Sequence, residues 1–332
     1  RLSVEPTQKH DSQYSSIVSL EKANEKKKDD KDLENLIRLG LIYLKDQPKG
    51  QYAEPIQFKV ASLYYQTNNK EEAQKWLTGL SEKLTQIDLK RKSQDLLLDI
   101  LNQKKDYSLL KKYSKTWASN EKDDKRNQAL KKIEQEAGFA EIQLKSETGK
   151  NDDEVKANRF SAATEWKNYH FEHYPASLAK EALWLSLSQF YSLGYSLEAA
   201  DLSLEYYKKY PEETKALEAL KTAADTYSQA GLLKKSASIF EKLSAIEKKK
   251  SFEYSDLASE LYLTEGDKAA SQEIFKKLLA EKNTTKDQTK IYTKLLHVMK
   301  GQEGSAEYKK LEDKLLAGNI EPYASEIRLR KV

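Results

Sequence analysis

Tyr227-Ser228-Gln229-Ala230-Gly231-Leu232-Leu233-Lys234-Lys235-Ser236-Ala237-Ser238-Ile239-Phe240 is the stretch on which the fold turns, because its pattern comes round again. A step of 35 residues carries Tyr227, Gly231, Ser236 and Phe240 onto Tyr262, Gly266, Ser271 and Phe275, a match at all four positions. A further step of 35 lands on His297, Gly301 and Ala306, while Lys310 takes the place of the second aromatic residue. Backward the interval is 36: Pro211 falls on Pro175, Ala199 on Ala163 and Tyr227 on Tyr191. Self-similarity at such a period marks a repeat architecture, with consecutive units from about residue 155 to about residue 316.

Each recurring position has a steric reason. Two antiparallel helices joined by a tight turn pack closely only where a small residue sits at their crossing, the role expected of Ala163, Ala199, Ser236, Ser271 and Ala306. The aromatic positions Tyr227, Phe240, Tyr262 and Phe275 fill the space beside it. Gly231, Gly266 and Gly301 each follow an apolar helix, where a left-handed C-terminal residue suits glycine. Pro175 and Pro211 fall between units, ahead of the next helix, where a missing amide is harmless. Helix breakers are scarce, 6 Pro and 11 Gly in 332 residues, which favours long helices with short turns over many strands.

An aromatic residue, glycine four later, a small residue five after that and an aromatic or apolar residue four further on, at a period of about 34, resembles the tetratricopeptide repeat. The resemblance covers about half the chain. It implies an all-α fold, a TPR-like α-solenoid in which antiparallel helix pairs form a right-handed superhelix with a concave, protein-binding groove. The segment His173-Tyr174-Pro175-Ala176-Ser177-Leu178-Ala179-Lys180-Glu181-Ala182, followed by Tyr191, Gly194 and Tyr210-Pro211, is similar to envelope repeat proteins of Gram-negative bacteria. Those include the periplasmic partner of the Tol-Pal system and the lipoprotein subunit of the outer-membrane β-barrel assembly machine. This likeness implies a periplasmic or outer-membrane-associated scaffold, with the cytoplasm as the alternative setting. Trp166, Tyr169 and Glu172 resemble instead the half-a-TPR repeats of RNA-processing scaffolds, although the glutamate falls one residue early and the other units do not repeat the tryptophan. An RNA-processing scaffold and a regulatory subunit of an enzyme complex are therefore the alternative functions.

Composition narrows the function classes. With 38% hydrophobic and 33% charged residues, yet 20 Tyr, 8 Phe and 4 Trp, the chain suits an elongated, surface-rich folded protein. Its 57 basic and 53 acidic side chains are interspersed, so the net charge of +4 marks no phosphate-binding face and does not call for nucleic acid. No apolar run approaches the roughly 20 residues of a membrane-spanning helix. Cysteine is absent, which removes disulfides, thiol nucleophiles and thiolate metal sites. The sequence starts at Arg1, as after removal of a leader, and membrane attachment is expected only through a partner or such an anchor. Thr148-Gly149-Lys150-Asn151 lacks the upstream glycine and following hydroxyl of a Walker loop, and no serine stands in a nucleophile elbow. His170 and His173 are read as ordinary surface residues of a helix rather than metal ligands, and Asn283-Thr284-Thr285 as an accidental sequon. The expectation is a non-enzymatic protein with no cofactor, no metal and no small-molecule substrate.

Residues 1–145 carry a weaker signal. Tyr64, Ala73 and Leu77 keep the aromatic, small and apolar spacing around Asn68-Asn69, so Gln57 to Leu80 reads as a helical hairpin, with further hairpins expected at Leu33 to Leu44 and Leu96 to Trp117. The charged run Glu21 to Asp32 reads as a solvated helix face, or else a flexible linker. Ser146 to Glu154 reads as a long loop between this region and the repeats at 155–316, and 317–332 as a C-terminal tail.

In tetratricopeptide repeats the first helix of each pair lines the groove through its second, fifth, ninth, twelfth and thirteenth positions. With Tyr227 as the eleventh, the resemblance assigns Glu218, Lys221, Asp225, Ser228 and Gln229 to the groove. From Tyr262 it assigns Glu253, Asp256, Glu260, Leu263 and Thr264, and in the next unit Gln288, Ile291, Leu295, Val298 and Met299. The implied partner is a protein segment with basic residues beside an apolar stretch. The competing reading packs those last apolar residues against a C-terminal helix at 306–316 and leaves the acidic ones to water.

Overall fold

The structure, a computed structural model, describes residues 6–27, 30–280 and 285–330. Asn283 and Thr284 of the sequon and two residues of the charged run at 21–32 lie outside them. The chain opens with α1 (Pro6–Lys27), α2 (Asp30–Asp46), α3 (Ala53–Gln66), α4 (Lys70–Lys83), α5 (Ile87–Gln103), α6 (Tyr107–Ala118) and α7 (Asp124–Glu147). It continues with α8 (Asp152–His173), α9 (Ser177–Ser192), α10 (Ser196–Lys209), α11 (Thr214–Gln229) and α12 (Leu233–Ile246). After a short 3-10 turn at Lys248–Lys250 come α13 (Ser251–Thr264), α14 (Lys268–Ala280), α15 (Thr285–Val298), α16 (Ala306–Ala317) and α17 (Tyr323–Arg330). Every regular element among the described residues is helical, and the most extensive packing is between sequence neighbours, the pattern of a TPR-like α-solenoid. Two compact units result, Arg1–Glu141 and Ile142–Val332, divided inside α7.

The turns explain why the helices pair. The residue just past the first helix of a hairpin is left-handed at Gly194 (φ 85°), Gly231 (75°), Gly266 (81°) and Gly301 (93°). The same conformation recurs at Asn68 (57°), Lys105 (56°) and Asn319 (48°), so the N-terminal hairpins use the same device without glycine. After several of these turns a side-chain cap starts the following helix: Asn69 accepts from the Glu72 amide, Asp106 from Leu109, and Asp267 from Ala270 at 3.1 Å, whereas α10 and α12 begin without one.

At the crossings, Ala163, Ala199, Ser236 and Ser271 are fully buried, as expected. Serine is accommodated because its hydroxyl finds a partner. Ser236 Oγ donates to the Ala224 carbonyl at 2.7 Å, Ser186 Oγ to the Ala163 carbonyl at 2.7 Å, and Ser271 meets Ser259 at 2.5 Å. The aromatic positions lie against these crossings. Tyr227 and Phe275 are fully buried, Phe240 nearly so, and Tyr262 partly buried with its hydroxyl donating to Glu241 at 2.8 Å. The interior is a succession of small cores. Leu36, Tyr43, Ile56 and Leu63 form one, Leu77, Leu97, Leu101 and Trp117 the next, and others follow around Leu183, Leu220 and Leu315.

Polar links repeat the period on the outside. Lys104 pairs with Glu71 at 2.9 Å, Lys111 with Glu141 at 3.1 Å and Lys294 with Glu260 at 3.0 Å, over separations of 33, 30 and 34 residues. Each is worth about 0–1 kcal/mol at the surface, so they register neighbouring hairpins more than they hold them.

Four expectations are corrected. Leu33 to Leu44 is no hairpin but the middle of the single helix α2. Its Gly40 makes no turn; it brings α2 against α3, where an added Cβ would stand 2.6 Å from Val60 Cγ2. The loop at 146–154 shrinks to residues 148–151, because α7 runs to Glu147 and Asn151 caps α8 through the Glu154 amide at 2.9 Å. The tail at 317–332 contains α17, whose Ile327 is buried in the last core. Ala306 is no crossing residue. The turn after Gly301 is longer than that after Gly266, so Ala306 becomes the exposed first residue of α16 and Tyr308 turns inward instead.

Phe275→Ala should cost about 3–5 kcal/mol, because a hole left in a small core relaxes poorly. Hydrogen exchange should then show α13 to α16 losing protection while α2 to α5 keep theirs. Unchanged protection in α14 and α15 would contradict the packing of neighbouring hairpins.

Candidate partner-binding surface

The outward faces of α11 and α13 follow from their helical spacing. On α11, Ala216, Ala219, Leu220, Ala223 and Tyr227 are buried, which turns Glu218, Thr222, Asp225 and Gln229 to solvent. On α13, Tyr254, Ser255, Ala258 and Ser259 are buried, which exposes Glu253, Leu257, Glu260 and Thr264. Leu257 is 47% exposed, four residues after Glu253 and three before Glu260, so an apolar side chain stands between two carboxylates on one face.

The other expected groove residues are committed within the fold. Lys221 Nζ lies 2.7 Å from Glu247, whose carboxylate also accepts from the Tyr254 hydroxyl at 2.6 Å. The Lys221 ammonium, then the Tyr254 hydroxyl, hold the Glu247 carboxyl below its usual range. Asp256, half-buried, and Glu260 share Lys294 of α15, each at 3.0 Å. Burial opposes the Lys294 charge, but the two carboxylates outweigh it and raise its pKa above the ordinary lysine value. Lys290, one turn earlier, lies 5.4 Å over the Phe252 ring. The surface is therefore acidic along α11 and α13 and turns basic at α15. Glu218, Asp225 and Glu253 remain exposed, with no ion pair among the described residues.

The apolar half of the expected groove is not surface. Ile291 is 1% exposed and Leu295 5%, and with Val298 and Met299 they pack against Leu311, Leu315 and Ile327. The longer turn before α16 and the closure of the array by α16 and α17 put this face inside. Ser228, Leu263 and Gln288 are half-buried. The exposed apolar residue is Leu257, which the repeat frame skips.

His170 is likewise corrected. It is fully buried, its Nδ1 donating to the Ala179 carbonyl at 2.9 Å, with the Tyr174 and Tyr210 rings nearby. His173 instead lies tilted beside the Tyr169 ring, with centroids 4.3 Å apart, while His170 is held in the interior. Trp166 and Tyr169 are buried in α8, while Glu172 is exposed. Among the described residues no three His, Cys, Asp or Glu side chains gather as a metal cluster, and no helix is long and apolar enough to cross a membrane.

No family model and no curated protein matches the sequence. Among solved structures, 59 chains match. A tetratricopeptide repeat protein from Parabacteroides merdae ATCC 43184 is 13% identical, with 87% of this chain and 99% of that one covered at a TM-score of 0.29. The TPR domain of P58(IPK) is 13% identical, covering 95% and 85% at 0.31. A chain of the Naa15/Naa10 structure bound to HypK-THB is 14% identical, covering 95% of this chain and half (50%) of that one at 0.29. At these identities and scores the likenesses carry no argument about function.

Burial pushes the His170 imidazole below its ordinary value, with Lys209 adding to the effect and the Ala179 carbonyl and Glu205 opposing it. The folded chain thus keeps His170 neutral where an unfolded chain takes up a proton, so stability is lost as pH falls below about 6.5. Denaturant midpoints at pH 7.5 and pH 5 should differ less for His170→Phe than for the parent. Equal differences would remove His170 as a source of acid sensitivity.

Proposed function

We propose that this chain is a non-enzymatic scaffold or adaptor that holds a segment of another protein on the outward face of α11 and α13. The observation that carries the reading is the set of uncommitted carboxylates Glu218, Asp225 and Glu253, exposed on packed helices, with the exposed Leu257 one turn after Glu253. Rigid helices present these groups with little ordering cost, which favours recognition over catalysis. The segment is basic with at least one apolar side chain, since opposite charge steers its approach and Leu257 gives it an apolar contact. A bacterial envelope is the proposed setting, supported by the resemblance carried by residues 173–182.

The test uses the partner recovered by affinity purification from the native organism. Reversing Glu218, Asp225 and Glu253 to lysine should leave stability within about 1 kcal/mol, because exposed, unpaired charges contribute little. It should weaken the partner by about tenfold or more at low ionic strength and flatten its salt dependence. Equal affinity of parent and triple variant at low salt would rule this face out as the binding surface.

A further inference from the structure

The N-terminal unit contains a second surface of different make. A cleft of about 520 Å³ opens between α5, α6 and α7, within the usual size range of ligand sites, about 300–1,000 Å³. It exists because α7 offers Ala137 and Ala140 on this side, too small to close the space facing Leu98 of α5 and Leu110 of α6. Leu98, Leu110 and Ala137 form a floor that is almost fully buried, with Ile133 and Tyr107 along its sides.

Every charged side chain lining this cleft is acidic: Asp95 and Asp99 on α5 and Glu136 on α7. Asp99 accepts hydrogen bonds from the Tyr65 hydroxyl and, at 2.6 Å, from the Gln103 amide, neutral donors that leave its charge in place. Asp95 pairs at 2.8 Å with Arg126, outside the lining. Among the described residues, Glu136 pairs with the exposed Lys132 of its own helix, at 3.8 Å. An apolar floor under a rim that is net negative selects an apolar side chain with cations on either side. It disfavours acidic segments and anionic lipid surfaces.

We propose that this cleft docks an amphipathic helix of a partner protein, its apolar side chains on the floor of Leu98, Leu110 and Ala137 and its lysines or arginines on Asp95, Asp99 and Glu136. The site is independent of the α11 and α13 face and stands if that face binds nothing. A helix meets the geometry because apolar and basic residues three and four apart share adjoining faces, the mode by which grooves take amphipathic helices.

The test separates the two surfaces. The probe is a fluorescein-labelled peptide of leucine and lysine at helical amphipathic spacing, followed by anisotropy at low salt. The protein is the full chain already carrying lysine at Glu218, Asp225 and Glu253, so that the C-terminal face repels the probe. This chain should still bind it, and should bind at least about tenfold more weakly on adding either Ala140→Phe, which fills the cleft, or Glu136→Lys, which alters only an exposed rim charge. A peptide of the same composition with its leucines spread around the helix should bind as weakly as those variants allow. Absence of binding to the starting chain, or binding that neither cleft substitution alters, overturns the proposal.

Discussion

The close approach of two helix backbones at Ala163, Ala199, Ser236 and Ser271 is the contact on which the rest of the C-terminal unit depends. A larger side chain there would push the axes apart and spoil the packing of both neighbours, because each hairpin is core to the next. The serines narrow the requirement further. A hydroxyl with no acceptor would be a buried, unpaired dipole, so Ser236 fits only because the Ala224 carbonyl lies 2.7 Å away. Once the crossings fix the helices, the directions of Glu218, Glu253 and Leu257 are no longer adjustable. The outward surface is a by-product of the inward contact.

The fold was legible wherever the turn needed glycine and the crossing needed a small residue, since both demands name particular amino acids. It faded where another residue met the same demand. Asn68 and Lys105 take the left-handed position that Gly231 and Gly266 take later. Asn68 still reads as a turn residue, but a lysine at 105 gives no hint of its backbone, so the hairpin of α5 and α6 rests on apolar spacing. Gly40 shows that a glycine can serve a close approach between helices, here of α2 on α3, rather than a turn. Turn length is also silent in a repeat frame, which is how Ala306 kept its register number and lost its role.

Of the two surfaces, the acidic one on α11 and α13 could be read from position alone. Its apolar component could not: the frame pointed to Ile291 and Leu295, which close the last core, and passed over Leu257. His170 was misread because nothing in its immediate sequence shows that α9 and α10 cover it. The cleft between α5, α6 and α7 left no sequence signal, since it arises from what Ala137 and Ala140 fail to fill rather than from any motif.

Nothing lies within 4 Å of where a side chain would begin at Gly194, Gly231, Gly266 or Gly301. These turns face open water, and each separates two helices whose partners lie on either side in sequence. They are natural seams. A gene that gains or loses a stretch between two of them gains or loses one hairpin's worth of chain and still presents matching ends to what remains. The number of hairpins can therefore drift in evolution separately from the chemistry each one displays, and an array of this kind can change its reach without first changing what it recognises.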